Sequence, residues 1–212
     1  VTTNDLDILA HKYGTDKNSS KHNYVKWYDR YFKDIRDSKI NLLEIGIQKG
    51  YSLLMWSDYF QNGNIFGIDK KKRKDYKRFK NKNIQYFIGN GSDASFLSEV
   101  EKSVSGGFDI IIDDASHNPV HQISTFKYLF PNLNSGGIYV VEDMQTSYFK
   151  EYSSNAVDYF KNLVHDVNVN GKSRYYQNFE SLCDEDLSSL SIYEKHVESI
   201  HFYMGICFIF KR

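Results

Sequence analysis

The chain has little cysteine, little proline and no long apolar run, and each shortage excludes something. Its two cysteines, Cys183 and Cys207, lie far apart among 212 residues. They form neither a CxxC pair nor a metal-ligand spacing, and a chain of this length can bury a core without a disulfide. That usage fits a reducing cytoplasm. Two prolines leave no Pro-rich linker, and no repeat or low-complexity tail appears, so a single domain over residues 1–212 is expected. No stretch approaches the roughly 20 apolar residues of a membrane span, and the opening VTTNDLDILAHK has no signal-peptide architecture. Neither sign of charge dominates. With 27 basic and 27 acidic residues, nothing draws the chain to nucleic acid or to a membrane surface. Apolar and aromatic side chains are present in quantity, at 41% and 16%, enough for a core and for a homo-oligomer interface.

Residues 108–117, FDIIIDDASH, run from a β-branched apolar stretch into two carboxylates. A short Ala-Ser turn then leads to a histidine that opens an amphipathic segment. This is the outline of a buried parallel strand meeting a helix. The pattern recurs at residues 136–143, GGIYVVED, and a helix over about 120–130 separates the two. If the strands are neighbours, Asp114, Glu142, Asp143 and His117 converge outside the carboxyl ends of a parallel sheet, where ligands collect in open α/β folds.

Three earlier stretches point to what the sheet would bind. Residues 40–47, INLLEIGI, are followed by Gln48, Lys49, Gly50 and a helix from 51 to about 60. Glycines in such a turn let the backbone approach a ligand and leave amide groups free at a helix start. The next strand, NIFGID at 64–69, ends in Asp69, about twenty residues past the glycine turn, where a carboxylate commonly grips a ribose. A strand over 84–88 leads to GNGSD at 89–93, whose Asp93 either caps the helix that follows or accepts from an adenine amino group. Together these predict a nucleoside-containing cofactor.

The remainder frames that core. Residues 4–12 and 23–35 have helical spacing, with Asn4 and Asn23 as caps. The polar segment between them, YGTDKNSSKHNY at 13–24, reads as a surface turn, the alternative being a flap over the active site. The basic run at 70–82 reads as a solvated helix face, the alternative being attraction of a phosphorylated acceptor. Residues 144–152 read as a loop lining the pocket, 155–164 as a helix and 171–174 as a turn. Residues 197–212 close the chain as an antiparallel hairpin broken near Met204 and Gly205. The expected organisation is a helical cap over 1–38 on an α/β core over 39–212.

LEIGIQKG, GID, GNGSD and FDIIIDD together resemble class I S-adenosylmethionine-dependent methyltransferases. More narrowly, KYGTDK, DDASHNPVHQ and GGIYVVEDMQTSY resemble the metal-dependent sugar O-methyltransferases that act on macrolide antibiotics, over about residues 6–148. The resemblance implies a Rossmann-like, mostly parallel, doubly wound sheet. It places Tyr13, Thr15, Glu44, Gly46, Gly50, Asp69, Asp93 and Asp113 toward S-adenosylmethionine, and Asp114, Glu142 and Asp143 on Mg²⁺, with His117 as general base. His121, Gln145 and Tyr148 are placed toward the acceptor, against the plainer readings of a helix residue and a polar loop. Two positions keep a structural reading as well: Glu44 as a partner for helix-start amides, and Asp113 because strand alternation turns it away from Asp114. Two departures stand out. Ala115 replaces a glycine, which is tolerated unless that residue has positive φ, and Lys49 replaces a glycine in the cofactor turn, which bears on loop geometry.

The chemistry fits these residue types. Methyl transfer from a sulfonium is an in-line displacement in which positioning does much of the work. A sugar hydroxyl is a poor nucleophile at neutral pH, so Mg²⁺ would orient it and lower its pKa, and a neutral imidazole would take the proton. The expected activity is Mg²⁺-dependent methylation of a sugar hydroxyl, on a nucleotide-linked sugar or a glycan precursor. The alternatives are a catechol-like acceptor and a non-catalytic cofactor-binding partner. The second is disfavoured because a chain without chemistry has no use for buried like charges. A nicotinamide enzyme is disfavoured by the lack of G-x-G-x-x-G.

Overall fold

The structure, a computed structural model, describes residues 5–168 and 184–212. Among them, seven strands form one sheet: β1 (Asn41–Ile45), β2 (Asn64–Asp69), β3 (Ile84–Ile88), β4 (Ile110–Asp113), β5 (Ile138–Glu142), β6 (Val197–Tyr203) and β7 (Ile206–Lys211). Their spatial order is β3-β2-β1-β4-β5-β7-β6. The first five are parallel, and β7 runs antiparallel to β5 and β6. This is the Rossmann-like sheet with a C-terminal hairpin, which turns at Gly205, φ 78°. Strand order reverses between β1 and β4, so the crevice that such sheets use for ligands opens outside their carboxyl ends.

Strand alternation builds a core on each face. Leu42, Ile110, Ile112, Ile138 and Val140 face α1 (Asp5–Tyr13), α2 (Val25–Phe32) and α3 (Tyr51–Tyr59). Leu43, Ile45, Ile111, Tyr139 and Val141 face α4 (Ala94–Ser103), α5 (Pro119–Leu129) and α6 (Ala156–Asn162). The parity has a direct consequence at the strand ends. Glu44 and Glu142 continue the first series and emerge on the α1–α3 face, whereas Asp113 continues the second.

Caps set several boundaries. Asp93 accepts from the amides of Ser95 and Phe96, Asn118 from Val120 ahead of Pro119 at the first helical position, and Asn155 from Asp158, each satisfying an orphan donor. Asn23 does not cap α2: it sits at φ 56°, and the helix begins after Tyr24 with no side-chain cap. Asn4 and the expected turn at 171–174 lie outside the described residues. The basic run contains a 3-10 segment, Lys74–Phe79, that buries Tyr76 and Phe79 and exposes most of its charges. Cys207 is buried and free, and no helix among the described residues is long and apolar enough to cross a membrane.

Asp58 fastens the amino-terminal helix to this frame. It accepts from Lys12 Nζ at 2.7 Å, Lys82 Nζ at 2.5 Å and the Tyr13 hydroxyl. Burial would raise its pKa, but the hydrogen bonds from Lys12, Lys82 and Tyr13 outweigh that and hold it well below the ordinary carboxylate range. A depressed carboxylate contributes stability above its unfolded pKa of about 3.9 and loses it as pH falls toward the folded value. Asp58→Asn should therefore cost about 1–2 kcal/mol at pH 7 and nothing near pH 1, as read by urea melts across pH. A cost independent of pH would remove the ionic account.

Candidate active site

A cavity of about 530 Å³ opens at the strand-order reversal. Three turns shape it. The first follows β1, where Gly46 has φ 106° and Gly50 φ 77°. A Cβ at Gly46 would run into the carbonyl oxygen of Asp114, and one at Gly50 into the Phe79 ring, so both positions need glycine. The second follows β2, where Asp69 accepts from the Gln48 amide at 2.8 Å, the Lys71 amide at 3.1 Å and the Tyr76 hydroxyl at 3.0 Å. The third follows β4 and carries Asp114 and His117. Neither Ala115 nor Lys49 has positive φ, so both departures are accommodated.

Thr15, Gly46, Asp69, Asp114, His117 and Asp143 all line this cavity. Donor atoms of Asp114, His117 and Asp143 lie within 4.8 Å of one another, close to the roughly 4 Å between opposite ligands of a small hard cation. His117 Nδ1 stands 3.4 Å from Asp143 Oδ2. Both residues are left-handed, at φ 53° and 55°, an uncommon state that recurs at functional positions. The Thr146 hydroxyl fixes the His117 turn by donating to its carbonyl at 2.7 Å. Burial would raise the pKa of Asp143, but hydrogen bonds from Gln145 and Tyr24, with the nearby His117, hold it below the usual range.

The other expected residues fall elsewhere. Tyr13 does not line the cavity: its hydroxyl is spent on Asp58. Asp93 is the α4 cap, so of its two readings the structure takes the structural one. Asp113 is 3% exposed, lies on the opposite core face and is absent from the cavity wall; burial pushes its carboxyl up to about 7. His121 bonds the Ser116 hydroxyl at 2.8 Å, and it is Ser116 that reaches the cavity. Gln145 and Tyr148 line a second groove of about 320 Å³, shared with Met144, Phe202 and Gly205. Residues 144–148 form a 3-10 turn rather than an open loop.

Lys17 is a residue at the strand ends that sequence reasoning missed. It is 1% exposed, and its Nζ lies 2.5 Å from Asp114 Oδ2, 2.7 Å from Glu142 Oε2 and 3.7 Å from Glu44 Oε1. The polar segment 13–24 is thus a flap over the strand ends and not a surface turn. The remaining oxygens of the two glutamates are also engaged. Glu142 Oε1 accepts from the Tyr28 hydroxyl, while Glu44 accepts from Ser52 at 2.6 Å and Trp56 at 2.8 Å. Burial favours a neutral amine at Lys17, but attraction to Asp114, Glu142 and Glu44 outweighs it and holds the ammonium well above the ordinary lysine range. Burial raises Glu44 to about 7 against the pull of Lys17. The segment KYGTDK was legible as unusual, but a lysine in a polar loop carries no local mark of burial.

No family model matches the chain. Over an alignment of 223 positions that takes in 98% of the chain and 52% of the relative, it is 30% identical to mycinamicin VI 2''-O-methyltransferase of Micromonospora griseorubida. It is 38% identical over 162 residues to L-olivosyl-oleandolide 3-O-methyltransferase of Streptomyces antibioticus, covering 72% of the chain and 41% of that protein. Among solved structures, MycE methyltransferase from the mycinamycin biosynthetic pathway, in complex with Mg and SAH, superposes with a TM-score of 0.82 at 29% identity over 98% of this chain and 53% of that one. The chain spans about half the length of the curated relatives it matches. With strand order, hairpin, glycine turn and sequence in agreement, this chain belongs to the class I S-adenosylmethionine-dependent methyltransferases, as a relative of the macrolide-sugar O-methyltransferases.

Proposed function

We propose that the chain transfers a methyl group from S-adenosylmethionine to a sugar hydroxyl with the help of Mg²⁺. The observation that carries this reading is the Asp114–His117–Asp143 cluster opening onto the same cavity as the glycine turn and Asp69. A cofactor with a ribose and an amino-acid arm fits that cavity, with Gly46 in its wall and Asp69 placed for two hydroxyls, while Gly50 lies outside the lining against the Phe79 ring. Two carboxylates supply hard oxygen donors suited to Mg²⁺, and the imidazole beside them supplies a base. Asp114 and Asp143 would hold the ion; Glu142, expected beside them, instead turns its oxygens to Lys17 and Tyr28 and does not line the cavity.

S-adenosylmethionine supplies an electrophilic methyl, and Mg²⁺, when bound, orients the acceptor's oxygens and lowers the pKa of the one attacked. The protein's own part is placement and proton removal. His117 takes the hydroxyl proton. Its ring is steered by the left-handed turn and the Thr146 contact. Gln145 and Tyr148 line the groove next to Asp143, which suits the distal part of the acceptor. Lys49, Lys70 and Arg73 also line the main cavity, and this cationic wall supports a sugar carried on a nucleotide or phosphorylated precursor.

Tritium transfer from labelled cofactor, with Mg²⁺ or EDTA, across nucleotide sugars, free glycosides and catechols tests the whole reading. Label should enter a sugar only when metal is present. Transfer to catechols alone, or full transfer after exhaustive chelation, would overturn it. Within the cofactor site, Asp69→Ala should weaken binding of S-adenosylhomocysteine by about 1.5–3 kcal/mol through loss of a charge-assisted contact. Equal affinity for parent and variant by calorimetry would remove Asp69 from the site.

A further inference from the structure

Glu44, Asp114 and Glu142 end three adjacent strands, β1, β4 and β5, and their carboxylates enclose a point that the Lys17 ammonium occupies. Asp114 is shared between two positions. Its Oδ2 binds Lys17 at 2.5 Å, while the same side chain also belongs to the group with His117 and Asp143 that faces the cavity. Four carboxylates thus stand around or beside a single ammonium, an acidic excess that a second cation at the outer position would offset.

We propose that Lys17 is a fixed internal cation, filling the inner of two adjacent cation positions, and so a positioning residue that places a divalent ion at the outer one beside His117. This rests on the proposed metal-dependent reading. The inner position offers three carboxylate oxygens around an ammonium that is 1% exposed: Glu44 is 0% and Glu142 2% exposed, and Asp114, at 19%, also faces the cavity. A divalent ion drawn there would be held away from the cavity and from His117. The ammonium, delivered on a stem that the flap anchors, keeps it out. Two of the flap's own residues, Thr15 and Asp16, form part of the cavity wall, so the same anchor also shapes the substrate side.

The test counts ions. Mn²⁺ titrated into the full chain with S-adenosylhomocysteine bound, and followed by electron paramagnetic resonance, should give one ion per chain for the parent. Lys17→Ala opens the inner position and should give two ions per chain with mutual spin broadening. Its methyl transfer at saturating Mg²⁺ should fall at least about 10-fold, in the range found when groups that orient metal ligands are lost. One ion in both proteins would overturn the proposal, because a lysine that only docks the flap would change melting temperature and not stoichiometry. If Lys17→Ala does not fold, the parent decides by reductive methylation and mass spectrometry. Lys17 should stay unmodified with and without Mn²⁺, and reactivity that appears once Mn²⁺ is added would show the ammonium displaced and refute its role. A parent that binds no Mn²⁺ would instead bring down the metal-dependent reading itself, and Lys17's role with it.

Discussion

Replacing His117 with alanine should lower turnover about 10²–10⁴-fold, the contribution of a positioned general base, while affinity for S-adenosylhomocysteine stays near the parental value. The ring has no other structural employment among the described residues: its Nδ1 makes no hydrogen bond and stands 3.4 Å from Asp143 Oδ2. The backbone is the complication. At φ 53° histidine already carries the roughly 1–2 kcal/mol strain of a Cβ in the left-handed region, and trimming the ring lets the turn relax, so part of any loss can come from the backbone. His117→Asn separates the two, because asparagine tolerates the left-handed region and cannot act as a base near neutral pH. Both variants should be comparably inactive, with the asparagine protein the more stable. Parental turnover in a folded His117→Asn protein across pH 6 to 9 would end the assignment.

Asp143→Asn should be at least as damaging, for a different reason. Asp143 is left-handed, φ 55°, and asparagine keeps that conformation while removing the charge. Its oxygen would still accept from Tyr24 and Gln145, which now donate at 2.9 Å each. What disappears is a hard anionic ligand. Mg²⁺ affinity should fall about 100-fold or more and turnover about 10³-fold at fixed Mg²⁺, the several kcal/mol expected of a lost metal contribution. Added Mg²⁺ should recover part of it. Because the pKa of Asp143 is depressed in the fold, its charge is present above the unfolded value of about 3.9 and is lost only as pH falls through the folded one. Between pH 6 and 9 it stays ionised, so any inflection there belongs to another group. Undiminished Mg²⁺ binding by calorimetry would take Asp143 out of the metal site.

The placements that were legible in the sequence share a property: they follow from local periodicity and local turn chemistry. Alternation in INLLEI, FDIIIDD and GGIYVVED fixes which carboxylate emerges on which face, and that alternation alone turns Asp113 away from Asp114. Gly46 and Gly50 are required by backbone geometry at one turn, and Asp93 by the capping needs of one helix. The parallel pairing of β4 with β5, which the sequence posed only as a condition, brings Asp114 near Asp143. Tertiary structure decided where the long side chains go. Tyr13 reaches Asp58, 45 positions away, instead of the cavity. Lys17 meets Asp114 across 97 positions and Glu142 across 125, and Tyr28 takes the other oxygen of Glu142 across 114. Nothing local distinguishes that lysine from a solvated one, because its burial becomes favourable only after three strands have brought their carboxylates to a single point.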